Sequence, residues 1–188
     1  MQLQGQRSIK ASRDVVWKAL NEPEVLKECI PGCEELERTS DTTFEGKVKQ
    51  KIGPVNARFT VLVELSDIVE AQSYRISGEG KGGAAGFAKG GAAVTLEDEG
   101  DGTLLSYDAE AKVGGKLAQL GSRLVDGYAR KMSDAFFDRF KEAVEPPDEN
   151  ESGTEAGGEA AQTEQRAEPA SGKDSGKRKR GWFRRLFG

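Results

Sequence analysis

The stretch Leu105-Ser106-Tyr107-Asp108-Ala109-Glu110-Ala111-Lys112-Val113 is followed, across Gly114 and Gly115, by Leu117, Leu120, Leu124, Tyr128, Met132, Ala135, Phe136, Phe140 and Val144. Its hydrophobic period changes in mid-course. Up to Val113 apolar and polar residues alternate, as in a strand with one wet face. From Gly115 onward apolar residues return every three or four positions, the stripe of an amphipathic helix that closes the domain.

Upstream the period of two recurs. Phe44, Gly46 and Val48 alternate with Glu45, Lys47 and Lys49; Val55, Ala57, Phe59, Val61, Val63 and Leu65 form a second series, and Tyr74, Ile76 and Gly78 a third. Ala92-Ala93-Val94-Thr95-Leu96 continues the strand pattern, and a short strand is expected over 3–9. Ser12 or Asp14 can cap a helix with Val15, Val16, Ala19 and Leu20 on one face, and a second short helix is expected to start near Pro23. The fold class predicted is α+β: about six to seven antiparallel strands, two short helices after the first, and one long helix at the end.

Charge divides the chain into three parts. Residues 1–144 carry 20 Lys and Arg against 23 Asp and Glu, residues 145–176 carry 2 against 9, and residues 177–188 carry 6 against none. The first part holds one core and is too short for two. The second is rich in Glu, Gly, Ala, Ser and Pro with little to bury, so it reads as a disordered acidic tether. As a flexible coil it would reach roughly 30 Å, from about 5–6 Å times the square root of its length. The third places Lys177, Arg178, Lys179, Arg180, Arg184 and Arg185 beside Trp182, Phe183, Leu186 and Phe187. On a helix the four apolar residues share one face, at spacings of one, four and five. Each cation near an anionic leaflet contributes roughly 1 kcal/mol, and the apolar face adds what electrostatics alone does not. A solvated basic tail or a nucleic-acid patch would share the Lys-Arg run but not the aromatic face. The reading is a membrane-surface anchor, too short to span a bilayer, and no nucleic-acid partner. No apolar leader opens the sequence, so the expected location is cytoplasmic and peripheral on the inner face of the cell membrane.

The chain contains no histidine. Ser-His-Asp and Cys-His activation, imidazole metal ligands and the commonest general base are therefore excluded, and no catalytic, cofactor-binding or metal-binding residue is assigned. Cys29 and Cys33 supply half of a zinc site, and Pro31 and Gly32 between them interrupt a helix; buried reduced thiols are expected. Gly78, Gly80 and Gly83 match G-x-G-x-x-G, but strand-like sequence follows where a phosphate site needs a helix. Glycine in a strand lets a sheet bend and bares its inner face, which can receive a helix or a flat ligand.

Several stretches carry a joint pattern: Ala11-Ser12-Arg13-Asp14-Val15-Val16-Trp17 with Leu20-Asn21, then Cys29-Ile30-Pro31-Gly32-Cys33-Glu34, then Gly78-Glu79-Gly80-Lys81-Gly82-Gly83 and Gly86-Phe87-Ala88-Lys89-Gly90. Together they resemble the family of the carbon monoxide dehydrogenase G-subunit. The element order is likewise similar to the helix-grip fold of the START-like and polyketide-cyclase superfamily, in which the sheet curls around the long helix and leaves a cavity. The resemblance covers residues 1–144, and family members tend to end in a variable linker and a basic aromatic tail. It implies a non-catalytic accessory to a molybdenum hydroxylase such as carbon monoxide dehydrogenase, placing that enzyme at the membrane and binding an isoprenoid quinone, menaquinone.

Strand parity and the helix stripe assign the walls of the expected cavity to Trp17, Leu20, Ile30, Pro31, Phe44, Val48, Phe59, Tyr74, Ile76, Gly78, Gly80, Phe87, Leu117, Leu120, Leu124, Tyr128 and Met132. Besides the carrier, two readings stay open. One is a cyclase- or aromatase-like enzyme on a small hydrophobic substrate, with Tyr74 and Tyr107 as inward proton donors. The other is a membrane anchor with no ligand.

Overall fold

The structure, a computed structural model, describes residues 1–146. The tether and anchor read from 147–188 lie outside the described residues.

Seven antiparallel strands form one sheet: β1 (Gln2–Ile9), β2 (Cys33–Arg38), β3 (Thr43–Ile52), β4 (Val55–Val69), β5 (Ser73–Lys81), β6 (Phe87–Glu99) and β7 (Gly102–Gly114), in the order β1-β7-β6-β5-β4-β3-β2. Between β1 and β2 lie α1 (Arg13–Leu20) and α2 (Pro23–Cys29), and after β7 come α3 (Lys116–Gln119) and α4 (Ser122–Val144). Ser12 is the N-cap of α1 through its backbone only, with no side-chain bond, and Pro23 opens α2 where a missing N–H costs nothing.

The edge strand β2 has no clear alternation. Cys33-Glu34-Glu35-Leu36-Glu37-Arg38 turns little but Leu36 inward, and its charges shield an open edge from further pairing.

The final helix also differs from its stripe. The apolar period runs without interruption through Leu117 and Leu120, but Gly121 adopts φ +82 and divides the segment into the one-turn α3 and the 23-residue α4. Left-handed backbone costs an L-residue roughly 1–2 kcal/mol, so glycine places the break. Hydrophobic period measures which face is apolar and does not register a change of axis.

Large side chains gather at two ends of the domain. At one end Ile52, Phe59, Ala85 and Leu117 form a buried cluster on which Val55, Val113 and Leu120 pack. Towards the other, Ile9, Val16, Val25, Leu105 and Phe140 are fully buried, each worth about 1.5–3 kcal/mol of apolar transfer. There Thr103 Oγ1 donates to the Ala11 carbonyl at 2.7 Å and binds β7 to the entry of α1.

Candidate functional site

Register shows what lies between these ends. On the face turned to α4, Ala111, Gly90, Gly78 and Val63 stand in one row across β7, β6, β5 and β4. The next rows are Ala109, Ala92, Ile76 and Leu65 on one side, and Val113, Ala88, Gly80 and Val61 on the other. The middle of the sheet is thus floored largely by Gly and Ala. A floor this low would let a helix settle closely onto it. The backbone of α4 makes its closer approaches to the sheet at β1 and β3. Gly78, Gly80, Gly90, Ala92, Ala109 and Ala111 beneath it are half-buried rather than buried. A Cβ added at Gly80 would meet nothing nearer than 3.8 Å, and one at Gly78 nothing nearer than 3.4 Å, so no neighbouring side chain fills the places these glycines leave. Gly82 differs: the Phe59 ring occupies the space its side chain would need.

Two flanks hold the helix over this floor. On the β1 side Tyr107 lies across Gly5, stacks on Phe137 with ring centroids 5.3 Å apart, and shares a 3.0 Å hydrogen bond with Ser133. Arg7 covers both rings and pairs with Asp134 at 2.6 Å, which closes that side. On the β3 side the Tyr128 hydroxyl donates to Gln50 Oε1, and Gln50 Nε2 donates to the Pro31 carbonyl at 2.7 Å. The loop between α2 and β2 is therefore latched to α4 through one glutamine. Gly32, at φ +74, lies so close to β3 that a side chain would overlap the Lys49 carbonyl, while its own carbonyl accepts from Lys49 N at 2.8 Å. This is the physical content of the Ile-Pro-Gly-Cys turn.

The parity assignments divide accordingly. Ile76, Gly78, Gly80 and Val48 lie on the inner face, with Tyr128 and Met132 half-buried on α4 and Ile30 and Pro31 beside the latch. Trp17 meets the buried Tyr74 edge-on at 5.4 Å. Phe59 and Leu117 belong to the packed cluster and Leu120 rests against it, Leu20 is buried in α1, and Phe44 is buried beneath the Arg38 guanidinium at 5.3 Å. Two placements are corrected. Phe87 pairs with Lys81 and Gly114, a register that turns it outward over Gly114, and it is 39 % exposed; the turn at Gly83–Ala85 resets the alternation before β6. Leu124 lies over the Gly53 turn at the rim, also 39 % exposed, because α4 starts only at Ser122.

Gln50, Gly90, Ala92, Ala109 and Ala111 complete the site and were not assigned from sequence, although the parity that gave Ile76 and Gly78 reaches all of them through pairing. Asp126 on α4 buries Oδ1 with no hydrogen bond. The glycine motif is followed by a 3-10 turn and then strand β6, so no helix N-terminus faces it. Both thiols are free; Cys29 is buried and pushed up to about 12 by desolvation, whereas Cys33 is half-buried and shifted in the same direction. A depression of about 640 Å³ lies on the opposite face of the sheet, among Leu62, Glu64, Glu79, Lys89, Glu110 and Lys112. Its mixed charges and its exposure to water suit no apolar ligand.

A family model described as the G subunit of carbon monoxide dehydrogenase (CoxG) matches residues 5–145. The chain belongs to that family. Among solved structures, this CoxG chain is similar to a conserved protein from Geobacillus kaustophilus, with 28 % identity and a TM-score of 0.72 over 77 % of this chain and 95 % of that one. A START superfamily protein from Mycobacterium smegmatis aligns at 15 % identity and a TM-score of 0.57 over 76 % and 96 % of the two chains, a likeness of fold. The comparison with curated proteins gives no match. The CoxG domain therefore shares the helix-grip fold of the START superfamily protein, and among the described residues no helix is long and apolar enough to cross a membrane.

Proposed function

We propose that this protein is a non-catalytic accessory of a molybdenum-containing carbon monoxide dehydrogenase or related molybdenum hydroxylase, that it holds menaquinone between α4 and the sheet, and that its basic aromatic tail brings the enzyme to the inner face of the membrane. The observation that supports the reading is the floor of Gly78, Gly80, Gly90, Ala92, Ala109 and Ala111, where the nearest neighbours of a Cβ added at Gly78 or Gly80 are atoms of the sheet and not of α4. A flat ring lies on bare backbone, and an isoprenoid chain needs only apolar walls, which Val61, Ile76, Val113 and Met132 offer. Nothing on this face requires a covalent step. The linkage to respiration follows from chemistry: a hydrophobic two-electron carrier is most useful where the lipid pool of that carrier lies.

Native mass spectrometry of the protein purified from its own host, followed by organic extraction, tests the reading. One isoprenoid quinone per chain is the expected result. Protein free of any extractable lipid, and refractory to loading with short-chain menaquinone, would reduce the function to anchorage.

A further inference from the structure

The protein has three tyrosines, and all three turn towards the space between the sheet and α4. Tyr107 shares a hydrogen bond with Ser133, and Tyr128 donates to Gln50. Tyr74 is only 5 % exposed, yet its hydroxyl makes no hydrogen bond with any described residue. Its oxygen is not among the fully buried polar atoms that lack a partner, so the O–H keeps access to water or a ligand, and a phenylalanine would pack in its place without loss of a protein hydrogen bond. The ring itself is well held, edge-on to Trp17 and paired across the ladder with Val94. Burial alone pushes the phenol's pKa upward, so it stays a neutral donor throughout the physiological range.

Along β5 the same face presents Tyr74, Ile76, Gly78 and Gly80 in succession. The six steps from Tyr74 to Gly80 cover about 20 Å at roughly 3.3 Å each. One end of this run is a fixed, unpartnered O–H beside an aromatic edge, and the remainder is bare or aliphatic. That is a polarity gradient matched by a ligand with one oxygen-bearing aromatic head and a long hydrocarbon tail.

We infer that Tyr74 is the specificity-determining donor of the ligand site: its hydroxyl donates to a carbonyl oxygen on the ligand's ring, with Trp17 against the ring edge and the tail directed along Gly78 and Gly80. This deepens the carrier reading and rests on it. It selects ligands that carry a carbonyl acceptor over isoprenoid hydrocarbons of equal length.

The test compares the full-length protein with Tyr74→Phe, using short-chain menaquinone and squalene as probes. The variant is expected to bind menaquinone roughly 2- to 12-fold more weakly, the equivalent of one neutral hydrogen bond, with squalene affinity unchanged. Its ligand-free melting temperature should be equal to or above the parent's, since no protein hydrogen bond is lost. In the infrared, the stretch of one quinone carbonyl should be lowered in the parent and return towards its free frequency in the variant. Equal loss for both probes, an unshifted carbonyl in the parent, or a lower melting temperature in ligand-free Tyr74→Phe would each overturn the inference while leaving the carrier reading in place. A parent protein that binds neither probe would overturn both.

Discussion

Gln50 Nε2 donates to the Pro31 carbonyl at 2.7 Å while Gln50 Oε1 accepts from the Tyr128 hydroxyl, so one side chain joins the turn after α2 to the middle of α4. Both bonds are part-buried, and removing them leaves a carbonyl and a phenol to find other partners. Gln50→Leu should cost about 1–3 kcal/mol in urea denaturation. It should also speed amide exchange at Cys33 and Lys49, whose N–H groups serve this turn. Unchanged stability and unchanged exchange would show that the turn is held by its backbone bonds alone.

Two glycine-to-alanine changes should act in opposite directions. Gly32→Ala forces a side chain onto the Lys49 carbonyl at φ +74, and a loss of about 3 kcal/mol or more is expected. Gly127 lies inside α4 with nothing within 4 Å of its added Cβ, so Gly127→Ala should gain about 0.5–1 kcal/mol of helix propensity. Thermal melts of the two variants decide both claims, and a gain at position 32 would mean that the turn can be rebuilt.

Volume added to the floor should separate an open space from a packed one. The Cβ of Gly80→Leu meets nothing nearer than 3.8 Å and an open space takes the rest of the side chain, so the melting temperature should change little while quinone loading falls. Gly82→Ala meets the Phe59 ring of the packed cluster and should lower stability by about 1–3 kcal/mol without touching the ligand. Leu120→Phe also enlarges that cluster and should behave like the second variant. Melting temperature and extractable quinone, measured on all three, must fall into these two classes; a strongly destabilised Gly80→Leu would mean that α4 already fills the floor.

Alkaline stability should carry the signature of Cys29. The buried thiol, raised from an ordinary value near 9 to about 12, holds its proton more tightly in the folded than in the unfolded chain. Its contribution is complete below about pH 9 and is lost as pH climbs towards about 12, at up to roughly 1.4 kcal/mol per pH unit. Tyr74 shifts in the same direction and adds to the loss. Denaturation midpoints from pH 8 upward should fall less steeply in Cys29→Ala than in the parent. Thiol labelling at pH 8 should modify Cys33 well before Cys29; the reverse order would place Cys29 outside the core.

Removal of residues 177–188, or exchange of Trp182, Phe183, Leu186 and Phe187 for Ser, should release the protein from anionic liposomes at physiological salt. The six cations kept in the second variant act through a Debye length of about 8 Å, which weakens their share. Co-sedimentation of the Ser variant at the parental level would assign the interaction to charge alone.

Pattern in the chain was sufficient for the element types and for the class of fold. Alternation around Tyr107 and the stripe from Val125 to Phe140 are local statements about which residues can share a buried face, and any fold must honour them. The same logic named the inner residues Ile76, Gly78 and Gly80. It failed at Phe87 and Leu124, because each lies just past a short irregular segment, Gly83–Ala85 or the α3 break, that resets which way the next side chain points. The weakly patterned β2 became a strand through its pairing with β3. Only the tertiary structure decided that α4 rests on its two flanks above a Gly and Ala floor, that Gln50 latches Pro31 to Tyr128, and that Tyr74 alone of the three tyrosines is buried with no hydrogen-bond partner among the described residues. Those are distances between residues far apart in the chain, set by how a curved sheet meets a helix, and no periodicity encodes them.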